Sequence, residues 1–326
     1  MSELSSKTRP PETAARAIDI SLVIPLFNEE ESLGELHRAI GETMARHGAR
    51  YEILFIDDGS TDRSFEILKA IRSEDPNVRL LKLRRNFGKS AALSAGFAAA
   101  RGEYIVTLDA DLQDVPDEIP GLIARLQEGY DLACGWRRKR MDPPGKVLSS
   151  RLYNAFVSVL TGTRVRDINC GLKGFRRVVA KELSLYGEWH RFIPLLARWK
   201  GFRVLEVPVV HRPRRTGHSK YGPERAPRGV LDLFTFLFLT RFYGRPAHFF
   251  GRLGLILCGG GGVILSMILY ARLAYGTILY QYPLLILSSV MVVVGIQLIG
   301  TGLLAELIAY SFRREGGDYA VEENLD

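Results

Sequence analysis

At 326 residues, with 47% apolar and 25% charged residues, the chain outruns a single typical domain, and its composition excludes a low-complexity or disordered polypeptide. Three widely spaced cysteines, Cys134, Cys170 and Cys258, exclude a disulfide framework and suggest a reduced compartment; no His/Cys cluster points to zinc. A net charge of +8, with Lys and Arg gathered at 137–151 and 212–228, asks for an anionic partner: nucleic acid, a phosphate ligand or a membrane surface.

Residues 1–18 are polar, lack the apolar core of a signal peptide and are expected to be a disordered tail. "ISLVIPLF" (20–27) predicts a strand, and Leu33, Leu36, Ile40 and Met44 repeat at helical spacing behind it. Asn28 with Glu31 three positions on resembles a capping box at the start of that helix. "YEILFIDD" (51–58) predicts a second strand and 63–74 a second helix. "VRLLKLRRN" (78–86) predicts a third strand, followed by an Ala-rich helix over 89–101. "EYIVTLDAD" (103–111) is the expected fourth strand, with a helix over 117–129 and a fifth strand, "YDLACGWR", over 130–137. Strands alternating with helices predict a mostly parallel, doubly wound α/β layer.

Beyond this layer the charge pattern changes. Leu253–Ala271 and 273–305 contain no charged residue, and each meets the roughly 20 residues a bilayer-spanning helix needs. "VLDLFTFLFLTRFYGRP" (230–246) is expected to be an interfacial helix leading into the first span. Arg241, Arg245 and Arg252 precede the spans and Arg313 and Arg314 follow them, which predicts that both ends of the chain lie in the cytoplasm. Next to two such spans, nucleic acid is the least fitting anionic partner. The expected division is a tail at 1–18, a catalytic domain at 19–224, interfacial helices at 225–248, two spans at 249–312 and an acidic tail at 313–326.

In a doubly wound sheet the ligand sits beyond the carboxyl ends of the strands. Those ends gather polar residues: Asn28 and Glu29, Asp57 and Asp58, Arg84 to Asn86, Asp109 and Asp111, and Arg137. No G-x-G-x-x-G follows the first strand and no P-loop signature occurs, so phosphates must be neutralised by something other than a glycine loop. Asp109 and Asp111, two apart at a strand end, are expected to point into one space while Ala110 faces away. Like charges that close call for a cation between them, and Mg2+ or Mn2+ with oxygen ligands fits, Gln113 adding an amide oxygen. Asp114 and Asp117 are expected to cap the following helix.

"VIPLFNEEESL" (23–33), "FIDDGSTD" (55–62), "RRNFGKSAALSAGF" (84–97), "TLDADLQDVPDEI" (107–119), "DINCGLKGFRR" (167–177) and "TGHSKYG" (216–222), in this order and ahead of two apolar spans, resemble the inverting family 2 glycosyltransferases of the GT-A fold. More narrowly they resemble the polyprenyl-phosphate glycosyltransferases, the dolichol-phosphate mannose synthase group and its undecaprenyl-phosphate relatives. The resemblance runs from Ile20 to Arg313. It implies a base and ribose pocket of Pro25, Phe27, Asn28, Glu29, Asp57 and Asp58, with Ala110 and Arg137 beside the nucleotide. Asp109, Asp111 and Gln113 would hold the metal and the pyrophosphate. Arg137, Arg151, Arg214, Ser219 and Lys220 would grip donor and acceptor phosphates. Asp167 would either act as a base or order Arg164, Arg166 or Lys173. His190 is expected to be a hydrogen-bonded structural residue, and Arg138, Lys139 and Arg140 a solvated, membrane-facing run.

The implied activity is transfer of one sugar from a UDP- or GDP-linked donor to polyprenyl phosphate at the cytoplasmic face of the inner membrane; the same resemblance allows a homo-tetramer, and nothing in the sequence decides the oligomeric state. A lipid phosphate with a second pKa of about 6 is largely dianionic at neutral pH and needs no strong base. Two other readings compete. A processive polysaccharide synthase would carry Q-x-x-R-W, where this chain has Leu195 in "LLARW" (195–199). A non-catalytic scaffold would have lost the carboxylates, which are intact. The sugar is open among glucose, mannose, N-acetylglucosamine and aminoarabinose derivatives.

Overall fold

The computed structural model describes residues 18–138, 144–213, 225–242, 245–276 and 282–313. Five strands appear where the apolar runs predict them: β1 (Ile20–Leu26), β2 (Tyr51–Asp57), β3 (Val78–Lys82), β4 (Tyr104–Thr107) and β5 (Leu132–Arg137). Between them run α1 (Leu33–His47), α2 (Ser64–Glu74), α3 (Lys89–Ala99) and α4 (Ile119–Gln127). The second half adds α5 (Pro144–Thr161), β6 (Lys173–Arg176), α6 (Arg177–Glu182), α7 (Ile193–Trp199) and β7 (Val204–Val209).

The seven strands form one sheet in the order β3-β2-β1-β4-β6-β5-β7. All pairs are parallel except those of β6, which runs antiparallel to both β4 and β5. The chain steps outward from β1 to β3 and then returns to the other side of β1 as β4. This places the topological switch point between β1 and β4.

Helix α1 buries the face its spacing predicts: Leu33, Leu36 and Ile40 are inaccessible and Met44 nearly so, against β1 and β2 residues such as Leu22, Ile24 and Phe55. Each such side chain contributes roughly 1.5–3 kcal/mol relative to exposure. Gly48, at φ 75°, ends the helix by donating its N–H to Met44 O.

Three local expectations are corrected. No capping box forms: α1 begins at Leu33 after Ser32, without a side-chain cap, because the Asn28 amide bonds across to Thr61 instead. β4 stops at Thr107, so Asp109 and Asp111 lie on a loop and the strand alternation invoked for them does not apply. Nor do Asp114 and Asp117 cap α4, which has Glu118 at that position and no side-chain cap. Asp114 accepts from Asp109 N, and Asp117 accepts from Thr43 and pairs with Arg46 on α1.

The chain divides into two compact units, one ending at Leu233 and one beginning at Phe234; the boundary falls inside α8 (Arg225–Phe242). The second unit contains α9 (Pro246–Tyr275) and α10 (Tyr282–Arg313). Both are long and apolar enough to cross a membrane, with mean hydropathy of 2.1 and 2.3 in their most apolar stretches. The 30 residues of α9 span about 45 Å, more than the ~30 Å hydrocarbon core. The two helices pack antiparallel through glycines: a Cβ on Gly254 would stand 2.6 Å from Gly295 O, and one on Gly261 2.7 Å from Ser288 O. Glu306 on α10 accepts the Ala247 N–H at 3.1 Å, satisfying one of the unpaired donors at the start of α9.

Candidate active site

Three loops meet beyond β1, β2 and β3. Asn28, at φ 53°, donates its backbone N–H to Ser60 Oγ at 2.9 Å, and its side-chain oxygen accepts Thr61 N–H at 2.8 Å. Glu29 N–H reaches Ser64 Oγ at 2.9 Å. The β1 and β2 loops are thereby locked together, with Pro25 buried and Phe27 half-buried at their base.

Asp57 is wholly buried. One carboxylate oxygen accepts Ser60 N–H at 2.8 Å; the other has no hydrogen-bond partner, and Lys82 Nζ stands 3.7 Å away. A buried acceptor of this kind fits a ligand N–H. Asp58 has a different occupation, its two oxygens accepting Phe87 N–H and Gly88 N–H at 2.8 Å each. Burial pushes its pKa above the ordinary value despite those two bonds.

The acidic loop follows β4. Asp111 is 8% exposed and accepts Gln113 N–H at 3.2 Å across a turn in which Leu112 takes φ 60°. Ala110 is buried between the two carboxylates. Asp109 N–H donates to Asp114 Oδ2 at 3.2 Å. Burial, then the neighbouring Asp109 charge, pushes Asp114 up to about 7.

Loss of water favours the acid form of Asp109, but the Lys89 ammonium resting on it outweighs this, and its pKa lies below the ordinary value. Asp109 also packs on Gly171, where a Cβ would come within 2.6 Å of its carboxyl carbon. The adjoining strand residue Thr107 donates its hydroxyl to Gly171 O at 2.7 Å, so the "CGLKG" segment and the acidic loop are built against each other.

The donor set fits a hard divalent ion. Asp109 and Asp111 offer carboxylate oxygens, and Gln113 stands on the same turn; Lys89 already rests on Asp109. No group of three or more His, Cys, Asp or Glu able to hold a metal exists among the described residues. A bound ion would therefore complete its shell with substrate oxygens and water, the usual habit of Mg2+.

On the far side, Arg137 donates to both oxygens of Asp167 at 2.6 and 2.9 Å, and this pair is almost fully enclosed. Burial opposes the charge on Arg137, but the Asp167 contacts outweigh it and hold the guanidinium above its ordinary pKa. Asp167 thus engages a partner the sequence reading did not name, while Arg166 stacks on Trp136 and Lys173 donates to Cys170 O.

Arg151 is exposed on α5, and Arg138 is exposed at the end of β5. Arg214, Ser219 and Lys220, like Lys139 and Arg140, lie outside the described residues. His190 is the hydrogen-bonded residue expected, with Ser90 Oγ 3.1 Å from both its backbone N and its ring Nδ1. The Cys134 and Cys170 thiols are buried, Cys134 pushed up to about 12 and Cys170 raised as well, so neither of the two is a thiolate nucleophile. Sequence reasoning missed Lys89 and Gly171 as members of the site. Both stood in segments already singled out, but neither residue type signals a partner far away in sequence.

Comparison with known proteins bears on this arrangement. The family model described as "Glycosyl transferase family 2" matches residues 21–184. The dodecaprenyl-phosphate galacturonate synthase of Rhizobium johnstonii is 36% identical over 318 residues, covering 95% of this chain and 94% of that protein. Among solved structures, glucosyl-3-phosphoglycerate synthase from Mycobacterium tuberculosis, in complex with Mn2+, UDP and phosphoglyceric acid, superposes with a TM-score of 0.54 at 22% identity, covering 68% of this chain and 78% of that one. The same enzyme in complex with phosphoglyceric acid gives 0.54 at 21% identity, covering 72% and 85%. At this identity the structural likeness establishes the fold.

Proposed function

The chain belongs to glycosyltransferase family 2, and on that premise we propose that it transfers one sugar from a nucleotide-sugar to polyprenyl phosphate at the cytoplasmic surface of a membrane. The observation that carries this reading is the near full-length likeness to a polyprenyl-phosphate sugar synthase, spanning both the acidic switch-point loop and the two apolar helices.

The chain's own groups fit the steps. Asp57 Oδ2, buried and without a hydrogen-bond partner, accepts an N–H of the donor base. Asp109, Asp111 and Gln113 would hold Mg2+ or Mn2+, and the bound ion would supply charge stabilisation for a departing diphosphate. Arg137, oriented by Asp167, together with Arg151, Arg214 and Lys220 offers cations to the phosphates of donor and acceptor, and Ser219 offers a hydroxyl.

An acceptor phosphate oxygen attacks the anomeric carbon. The bond from that carbon to the donor phosphate oxygen breaks, its electron pair leaves with the nucleoside diphosphate, and the carbon is inverted. Because the nucleophile is already anionic, catalysis lies in bringing two like-charged phosphates together and neutralising them.

The exposed apolar stripe Leu148, Leu152, Phe156 and Val159 on α5, with Arg151 among it, supports approach of a lipid-borne phosphate. The basic residues Arg241, Arg245 and Arg252 before α9's apolar stretch and Arg313 after that of α10 support a cytoplasmic catalytic unit.

The test is incubation of membranes carrying the chain with undecaprenyl phosphate and labelled UDP-glucose, UDP-galacturonate, UDP-N-acetylglucosamine or GDP-mannose, followed by lipid extraction. Label from one donor is expected in the lipid phase, released as sugar 1-phosphate or free sugar by mild acid. Single-sugar lipid supports the reading; long polymer from the same donor would favour a processive synthase instead.

A further inference from the structure

Lys89, Lys173 and Arg137 all act on the charge of Asp109, and of these the Lys89 ammonium is the one that rests on Asp109 Oδ1. The placement of Lys89 is built from both sides. Asp58 fixes Phe87 and Gly88, the two residues before it, to the end of β2. Ser90, the residue after it, is tied to His190 through both the ring and the backbone. Lys89 is thereby set at the first position of α3 with its side chain 25% exposed, reaching from there to the loop after β4.

We propose that Lys89 is a placeholder cation. It occupies Asp109 in the ligand-free enzyme, leaves when a divalent ion takes that carboxylate, and moves onto the donor diphosphate. The inference rests on the reading of Asp109 and Asp111 as the metal-holding pair. An ammonium and a divalent ion compete for the same carboxylate oxygen and repel each other, so metal alone binds against a penalty. A diphosphate arriving with the metal gives the displaced ammonium a new partner and removes that penalty. Metal and nucleotide then bind cooperatively, each raising the affinity of the other by the same factor. Once the diphosphate leaves, Lys89 returns to Asp109 and favours release of the ion with it.

The experiment is Mn2+ titration of the full chain in detergent, followed by the electron paramagnetic resonance of the free ion. Wild type, K89R, K89Q and K89M are compared without nucleotide and, in separate arms, with UDP or GDP. Without nucleotide, K89Q and K89M are expected to bind Mn2+ roughly tenfold to a hundredfold more tightly than wild type, the effect of removing a like charge a few ångströms away. K89R keeps the charge and stays close to wild type. With nucleotide the difference narrows. K89Q, which remains polar, carries the comparison if K89M fails to fold. Mn2+ binding by K89Q no tighter than by wild type in the absence of nucleotide overturns the placeholder role and leaves the metal site standing. A wild type that takes up no Mn2+ in any arm overturns both.

Discussion

Arg137 and Asp167, thirty residues apart, form a two-pronged ion pair with Nε–H and Nη2–H donated to separate carboxylate oxygens at 2.6 and 2.9 Å. The Asp167 side chain is 2% exposed and that of Arg137 12%. A carboxylate so engaged is a poor proton acceptor, since taking a proton would break a buried charge pair. On the proposed function its task is to aim the guanidinium.

If Asp167 works through Arg137, D167N and R137M should each lower kcat/KM by roughly 10²-fold, the scale of a misplaced catalytic group. The double variant should lose no more than R137M alone. The pH–rate profile of D167N should keep the acid limb of the wild type; disappearance of that limb would make Asp167 a base. Thermal unfolding belongs beside the kinetics, because leaving one partner of a buried pair alone costs about 3–5 kcal/mol.

Metal removal gives a second prediction. Chelation should stop transfer, and Mg2+ or Mn2+ should restore it. D109N and D111N should each lower turnover by at least ~10²-fold, the loss seen when one group that stabilises developing charge is removed, while membrane insertion and thermal unfolding change little. Undiminished turnover in excess chelator would remove the metal from the mechanism.

The parts of this molecule legible in its sequence are those governed by local apolar pattern. The buried face of α1 follows from the spacing of Leu33, Leu36, Ile40 and Met44, and the parallel strands from short β-branched runs. β6 escaped because "KGFR" (173–176) has four residues, two of them cationic, and no alternation to read; Lys173 is nevertheless buried with its ammonium on Cys170 O. The Asn28 capping box failed for a related reason. An Asn at a loop is equally able to bond its own helix or a neighbouring loop, and only the packing of β1 beside β2 brings Thr61 within reach. The acidic pair is singled out by residue type alone, and the strand alternation expected for it belongs to a longer strand than β4. Lys89 was hidden because its partner comes from another strand end.

The pair His37–Asp75, 2.9 Å apart between α1 and the end of α2, yields a pH prediction remote from the site. Burial alone would raise Asp75, but the His37 bond and then the Asn77 N–H outweigh it, so its pKa is lowered in the folded chain. An acid with a depressed folded pKa adds stability above its unfolded value, about 3.9, and loses it as pH falls through the folded value. D75N should therefore be less stable than wild type at neutral pH, and the gap should close as pH drops below about 4. Denaturant unfolding at several pH values reads this directly; a gap independent of pH would show that Asp75 acts through packing or its backbone turn.

The last prediction concerns the helical pair. Gly261 on α9 lies where a Cβ would meet Ser288 O at 2.7 Å and Val292 Cγ2 at 2.9 Å. Its neighbour Gly262 has nothing within 4 Å, although both sit in the same four-glycine run. In lipid, helix association rests on close backbone approach rather than on exclusion of water. G261V should therefore push α9 from α10 and destabilise the pair by about 1–3 kcal/mol, the range for overpacking, whereas G262V should be tolerated. Thermal unfolding in detergent and the yield of folded protein compare the two directly. Equal losses for both would mean that the whole run is needed for some property other than this contact; equal tolerance would mean the helices do not pack at Gly261.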